Sequence, residues 1–129
     1  MTEKTKIQAT IDAMTTAFAA HDIDGIMQTY EPEAVVVGQP ETPISGTTSL
    51  REMFAGFIAM NPKFTFINHE IFVAGDIALH LNNWTMTGTT PDGINVEMGG
   101  LSAVVLRKQK DGKWLIVIDN PFGDFLLKK

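Results

Sequence analysis

The first thirty residues space their apolar side chains as helices do. Over about residues 3–20 these side chains recur every three or four positions, on one face of an amphipathic helix: Ile7, Ile11, Met14 and Phe18. Asp22 then suits the N-cap of a second, shorter helix, which carries Ile26 and Tyr30 and ends before Pro32. The pattern predicts a helix, a break and a half-length helix.

A short strand and a third helix are predicted next. Residues 34–38 form a β-branched run too short for a helix, and a loop containing Pro40 and Pro43 follows. The third helix has a continuous apolar stripe: Leu50, Met53, Phe54, Phe57 and Ile58. Ser49 and Glu52 are spaced as a capping box at its start, and Pro62 ends the segment.

After Pro62 the period changes from helical to alternating. Turn signals delimit four strands, at about 63–73, 77–89, 95–109 and 114–121. Helices that precede an antiparallel meander predict an α+β fold, with a curved antiparallel sheet packed against three N-terminal helices and enclosing a pocket. The length of 129 residues suits one domain over residues 1–129.

Composition and charge exclude several classes of function. A net charge of -5 with ten scattered basic residues argues against binding to nucleic acid. The absence of cysteine excludes disulfides, thiolate nucleophiles and Cys-based metal sites, and the three histidines lack the spacing of a metal motif, so we expect no metal and no cofactor. No run approaches 20 apolar residues and no signal-peptide core is visible, so we expect no membrane association and a cytoplasmic location.

Three stretches of sequence carry a resemblance to a known family. They are Phe18-Ala19-Ala20-His21-Asp22-Ile23-Asp24-Gly25-Ile26 with Tyr30-Glu31-Pro32-Glu33-Ala34-Val35, then Ile44-Ser45-Gly46-Thr47-Thr48-Ser49-Leu50-Arg51, and finally Asp111-Gly112-Lys113-Trp114-Leu115-Ile116-Val117. In order and spacing the chain resembles the ketosteroid isomerase-like, or nuclear transport factor 2-like, superfamily, and its last hairpin resembles the polyketide cyclase-like and uncharacterised branches. The resemblance spans essentially the whole chain and implies a cone-shaped sheet.

The resemblance also shows what this chain lacks. A ketosteroid isomerase uses a carboxylate base, with a Tyr and a protonated Asp that hold the enolate oxygen. Alignment places the Tyr at Met14, the base at Gly38 and the second Asp near Val104. Steroid isomerisation by that mechanism is therefore not expected.

The same resemblance implies which residues face the pocket. From the strands it implies Leu79, Leu81, Asn83, Thr85, Thr87, Ser102, Val104, Leu106, Leu115, Val117 and Asp119. From the helices it implies Met14, Phe18, Tyr30, Met53, Phe54 and Phe57. A one-residue slip in register would exchange inward for outward residues in any strand.

Asp119 and Tyr30 are the candidate catalytic residues. Asp119 ends an apolar strand, where desolvation would raise its pKa towards a general acid or base role; alternatively, Asp119-Asn120-Pro121 begins a solvated turn. Tyr30 either points its hydroxyl into the pocket or packs in the core with the hydroxyl at the surface.

Other polar residues have two interpretations each. Asn83 and Thr85 either orient a ligand oxygen or pair across strands on a half-solvated face. His21 is either an acid or base at the pocket mouth or a solvated loop residue. Large apolar side chains would lie on the outer face of the sheet, which predicts a homodimer through that face: Trp84, Trp114, Ile116 and Ile118.

Three functions remain open at this point. The first is an isomerase, dehydratase or cyclase-type enzyme acting on a small apolar substrate, with Asp119 as acid or base and Tyr30 or Asn83 polarising an oxygen. The second is a non-catalytic ligand-binding or accessory dimeric domain. The third is a structural dimerisation module whose cavity is filled by its own Phe and Met side chains.

Overall fold

A computed structural model describes residues 2–125 of the chain, which form three helices and six strands. The helices are α1 (Glu3–Ala19), α2 (Ile23–Met27) and α3 (Thr47–Ile58). The strands are β1 (Tyr30–Gln39), β2 (Thr42–Ser45), β3 (Lys63–Ala74), β4 (Ile77–Thr89), β5 (Asn95–Lys108) and β6 (Trp114–Asn120). The predicted α+β class and the four long strands are confirmed, with bounds that differ by one residue or less.

The strands form one open sheet in the order β2-β1-β6-β5-β4-β3. Every neighbouring pair is antiparallel except β1 and β6, which run parallel. This parallel pairing is possible because β2, α3 and the β3–β5 meander form a long connection between β1 and β6. Side chains from the first and last strands therefore meet in the middle of the sheet, and this places the candidate site.

The helices pack on one face of the sheet and bury a common core. Its fully buried apolar side chains come from both layers: Ile7, Ile26, Leu50, Leu106, Trp114 and Ile116. Two of the polar contacts between α1 and the sheet involve Trp114. Thr10 donates to the Trp114 carbonyl oxygen at 2.7 Å, and the Trp114 indole Nε1 donates to Glu3 Oε2 at 2.7 Å. The buried indole therefore has its polar group satisfied.

Of the two helix N-caps predicted from the sequence, the one for α2 is confirmed and the one for α3 is wrong. Asp22 does cap α2, where its side chain accepts from the Gly25 backbone N–H at 3.0 Å. The capping box at Ser49 is wrong, because the N-cap of α3 is Gly46, three residues earlier, and it has no side-chain cap. Tyr30 is not helical: α2 ends at Met27, and Tyr30 opens β1.

The edge strand β2 was not predicted from the sequence. Residues 42–45 contain Pro43 and were assigned to a loop, yet they pair with β1 in an antiparallel ladder. Because β2 lies at the edge of the sheet, the missing N–H of Pro43 costs little. Among residues 2–125, no helix is both long enough and apolar enough to cross a membrane.

Candidate functional site

A cavity of about 100 Å³ lies between the helices and the concave face of the sheet. Aromatic and methionine side chains make up much of its wall: Phe18, Phe54, Phe57, Phe64, Trp84, Met14, Met53 and Met86. Phe18 packs edge-on against Phe54, with ring centroids 5.5 Å apart. The C-terminal segment contributes as well, since the Trp84 indole donates to the Pro121 carbonyl oxygen at 2.8 Å. The wall favours an apolar ligand, and methionines let it adapt in shape.

A buried hydrogen bond joins the two candidate catalytic residues on this wall. Tyr30 Oη donates to Asp119 Oδ2 at 2.6 Å, and both side chains are more than nine-tenths buried. The Tyr30 hydroxyl also lies 3.6 Å from Met14 Sδ. Asp119 carries the one carboxyl group among the described residues that line the cavity. The solvated-turn interpretation of Asp119 is therefore wrong, as is the surface-hydroxyl interpretation of Tyr30.

Burial sets the electrostatics of this pair. Loss of water raises the pKa of the Asp119 carboxyl, and the hydrogen bond from Tyr30 partly opposes that rise by favouring the charged form. Burial, followed by the nearby Asp119 charge, raises the pKa of the Tyr30 phenol, so Tyr30 stays a hydrogen-bond donor. A carboxyl with a raised pKa exchanges a proton more readily near neutral pH than a solvated one.

His80 is a third buried titratable group on the cavity wall, and it is not among the pocket residues predicted from the sequence. Its Nε2 lies 2.9 Å from Gln8 Oε1, and its Nδ1 has no hydrogen-bond partner among the described residues. Burial, with a smaller contribution from the stacked His69 ring, lowers the pKa of His80 to about 4. The ring is therefore neutral at neutral pH.

The side chains of β4 face the opposite way from the sequence prediction. Asn82 pairs with Ser102, and Trp84 pairs with Gly100, so the even-numbered residues of β4 share the cavity face with Ser102. Leu81, Asn83 and Thr85 consequently lie on the outer face, because successive side chains in a strand alternate between faces. Asn83 Nδ2 donates to Asn68 Oδ1 at 3.2 Å on that solvated face, as the pairing alternative predicted.

A bulge in β6 explains a second correction. Leu106 pairs with Ile116 but Val105 pairs with Ile118, so Val117 is an extra residue in the ladder and does not line the cavity. Because of this bulge, Ile116 and Asp119 both point inward although three positions separate them. Trp114, Ile116 and Trp84 were expected on the outer face, but all three are buried; Ile118, 43% exposed, does lie outside.

The remaining predicted wall residues do border the cavity: Met14, Phe18, Met53, Phe54, Phe57, Ser102 and Val104. Met14, Gly38 and Val104, where the resemblance places the isomerase's Tyr, base and Asp, all line it and are apolar. Met53 Sδ occupies the space that a side chain at residue 38 would need. His21 is exposed and its Nε2 lies 3.3 Å from Asn61 Oδ1, away from the cavity.

The outer face of the sheet carries an apolar row across four strands. Phe72 pairs with Leu79, Leu79 with Val105, and Val105 with Ile118, so all four side chains share one face. Phe72 is 57% exposed. We call these four residues the outer apolar row. No group of three or more His, Asp or Glu side chains within residues 2–125 is arranged to hold a metal ion.

Residues 11–117 match the SnoaL-like domain family, and this match covers most of the chain. The chain belongs to the SnoaL-like domain family. The superfamily predicted from the sequence, ketosteroid isomerase-like or nuclear transport factor 2-like, is thereby confirmed. The curated proteins include no significant sequence match to this SnoaL-like chain.

Solved structures share its fold at low sequence identity. A nuclear transport factor 2-like superfamily protein from Salmonella enterica is 19% identical, with a TM-score of 0.81 over 92% of this chain and 88% of its own. A Novosphingobium aromaticivorans protein, named for a proposed aromatic ring hydroxylase activity, is 24% identical, with a TM-score of 0.81 over 92% and 86%. A Streptomyces avermitilis protein, named for a proposed dehydratase activity, is 18% identical, with a TM-score of 0.75 over 92% and 93%. These likenesses establish the fold.

Proposed function

We propose that this SnoaL-like chain catalyses proton transfer at a carbon next to a carbonyl group in a small apolar molecule, as an isomerase, dehydratase or cyclase does. The observation that carries this proposal is the buried hydrogen bond between Tyr30 and Asp119 on the cavity wall. Asp119 removes the proton from carbon and later returns it. The hydrogen bond from Tyr30 to Oδ2 fixes the orientation of the carboxylate, which leaves Oδ1 to accept the proton.

The placement of the pair supports this role. Tyr30 brings its hydroxyl to Met14, and Asp119 pairs in register with Val104. The pair therefore lies beside the two positions where an isomerase has the tyrosine and aspartate that hold the enolate oxygen, next to the carbon that exchanges its proton. The Streptomyces avermitilis structural neighbour is named for a proposed dehydratase activity, and dehydration next to a carbonyl group involves the same proton transfer. The apolar wall keeps water from the reacting carbon and strengthens the electrostatic contacts there.

A deuterium-exchange experiment tests this function without knowledge of the natural substrate. Single-ring ketones, with cyclohexanone as the first probe, are incubated with the protein in D₂O, and loss of the α-proton signal is followed by NMR. We expect faster exchange with the wild type than with Asp119→Asn, because the amide keeps the shape but does not take up the proton. Asp92→Asn, at an exposed turn position, is the matched control and should exchange like the wild type. Equal rates for wild type and Asp119→Asn would reject the proposal.

A non-catalytic ligand-binding domain is the second candidate. The observation that favours it is the apolar character of Met14, Gly38 and Val104, together with the Met53 sulfur that fills the base position. In that case Asp119→Asn weakens ligand binding and leaves exchange per bound molecule unchanged. The empty space in the cavity argues against the third candidate, a module filled by its own side chains.

We further propose that two copies of the chain associate through the outer apolar row. Phe72, Leu79, Val105 and Ile118 form a continuous apolar band, and such bands are typical of interfaces. A stable dimer would bury about 1,200–2,000 Å² in total. The expected interface differs from the sequence prediction in its residues, since Trp84, Trp114 and Ile116 face inward.

A further inference from the structure

Two buried polar side chains on the cavity wall have no hydrogen-bond partner among the described residues. Asn82 is 6% exposed and Ser102 is 8% exposed, and both line the cavity. Their polar atoms are not sealed inside the protein: within residues 2–125, the enclosed side-chain atom without a partner is His80 Nδ1. The polar atoms of Asn82 and Ser102 are therefore open to the cavity and can form hydrogen bonds with a molecule bound there.

The two side chains act at one place because of the β4–β5 register. Asn82 lies directly opposite Ser102, a placement that brings Cβ atoms to about 4.5–5.5 Å in an antiparallel pair. Asp119 is opposite Val104, two residues beyond Ser102 on the same face. Such diagonal neighbours lie about 7–8 Å apart. The Asn82–Ser102 pair and the Asp119 carboxyl therefore face one small molecule from adjacent rows of the sheet.

From this geometry we infer that Asn82 and Ser102 form an oxygen-binding subsite for the carbonyl oxygen of a small cyclic ketone whose α-carbon faces Asp119. The inference rests on the proposed proton-transfer function and identifies its substrate class. Asn82 Nδ2 and the Ser102 hydroxyl are donors, and a carbonyl oxygen accepts two hydrogen bonds. Asp119 then removes the proton, while Asn82 and Ser102 bind the oxygen.

The proton-transfer step is balanced with these groups alone. Asp119 takes the α-proton as its carboxylate becomes a carboxylic acid, and the C–H electron pair forms the carbon–carbon double bond of an enolate. The carbonyl π electrons move to the oxygen, where Asn82 and Ser102 stabilise the negative charge. In D₂O the Asp119 carboxyl exchanges its proton with solvent and returns a deuteron to carbon.

The size of the cavity limits the ligand to about one ring. It measures about 100 Å³, while an apolar cavity of about 150 Å³ takes up benzene. Movement of the flexible Met14 and Met53 side chains supplies the remaining space. A monocyclic ketone satisfies the apolar wall, the two donors and the carboxylate together.

A binding comparison with two probes of the same shape tests the subsite. Cyclohexanone and methylenecyclohexane differ in that a carbonyl oxygen replaces a CH₂ group. We expect the wild type to bind cyclohexanone about five- to tenfold more tightly, as measured by ¹⁵N chemical-shift titration, because only the ketone pairs with the subsite. The double variant Asn82→Leu/Ser102→Ala should bind both probes equally.

Two further variants make the assignment specific. Asn83→Leu applies the same change one residue away on the outer face, so it should keep the wild-type preference. Tyr30→Phe removes the other donor near Asp119 and should also keep the wild-type preference for cyclohexanone. Loss of the preference in Tyr30→Phe rather than in the double variant would overturn the inference. Equal affinities in the wild type, or binding of neither probe, would overturn it as well.

The exchange assay separates this inference from the proposed function. In D₂O the double variant should exchange the cyclohexanone α-protons about a hundredfold more slowly at saturation than the wild type, because oxyanion donors act mainly in the transition state. Asp119→Asn should stop exchange but keep the binding preference. A wild type that binds cyclohexanone preferentially without exchange would reject proton transfer and keep the oxygen-binding subsite.

Discussion

Tyr30 and Asp119 lie 89 positions apart in sequence, yet their side chains share a 2.6 Å hydrogen bond. Two features of the sheet bring them together. β1 runs parallel to β6, with Val36 opposite Asp119, and the bulge at Val117 turns Asp119 inward. A buried carboxylate with one neutral donor is a costly arrangement. Such a cost is typical of a functional site.

Asp119→Asn should therefore stabilise the protein at neutral pH by about 1 kcal/mol. Burial raises the pKa of Asp119 in the folded state. Its stabilising contribution is full below the unfolded-state pKa and is lost as pH rises through the folded-state pKa. The asparagine side chain stays neutral as pH rises, so the variant does not lose this stability. Its amide oxygen still accepts the hydrogen bond from Tyr30. Urea unfolding at pH 7 measures the gain.

The comparison at acid pH serves as the control for that prediction. At about pH 3 the wild-type carboxyl is protonated in both states, so the difference between wild type and Asp119→Asn should disappear. Asp92→Asn, at an exposed position, should change stability little at either pH. A variant less stable than the wild type at pH 7 would contradict the electrostatic account.

Tyr30→Phe should raise the pKa of Asp119 further. The Tyr30 hydrogen bond lowers that pKa by favouring the charged form, and phenylalanine keeps the ring while removing the donor. We also expect a loss of stability of about 1–3 kcal/mol at neutral pH, because a buried acceptor loses its partner. A ¹³C NMR titration of the Asp119 carboxyl gives the pKa, and an unchanged or lower value would show that Tyr30 does not favour the charged form.

The sequence was sufficient for the three helices and the four long strands, but not for the edge strand β2 or for every face of the sheet. Periodicity and turn residues predicted the long strands because each is a local signal. The orientation of β4 is not local: Leu79 and Leu81 look like inward residues, whereas His80 and Asn82 occupy the cavity face. At these four positions the usual polarity is reversed, because the two polar side chains line a candidate site.

The turn between β4 and β5 determines which side chains of β4 face the cavity. Thr89 pairs with Asn95 across it, and the register then runs without a shift to Asn82 and Ser102. Placing Ser102 inward therefore required Asn82, not Asn83, to face inward as well. The bulge at Val117 has no comparable signal in the β6 sequence. Asp119 nevertheless faces the cavity as predicted, because it follows the bulge. Trp114 and Ile116 precede the bulge and face the opposite way from the prediction.

The proposed dimer should dissociate when a charge enters the outer apolar row. Ile118→Glu puts a carboxylate at the β6 end of the row, where burial in an interface would leave it unpaired. Sedimentation velocity at micromolar concentration should show a dimer for the wild type and a monomer for the variant. Ile94→Glu is the control, since Ile94 is 61% exposed and lies in the β4–β5 turn outside the row. A monomeric wild type would reject the proposed interface.

His80 should make the fold sensitive to mild acid. Its pKa is lowered from 6.5 to about 4 in the folded state, mainly by burial and also by His69, while Asp12 opposes the shift. The unfolded chain takes up a proton on this ring below about pH 6.5, and the folded chain does so only near pH 4. Stability from His80 is thus full above pH 6.5 and lost as pH falls towards 4, by about 3 kcal/mol at most.

His80→Gln separates this effect from other acid titrations. Glutamine is neutral throughout, so its free energy of unfolding should fall less between pH 7 and pH 4.5 than that of the wild type, when urea unfolding is measured at both. His21→Gln is the matched control, because His21 is exposed and should leave the wild-type pH dependence in place. Equal losses of stability in His80→Gln and the wild type over this range would show that folding does not lower the pKa of His80, and would contradict this account.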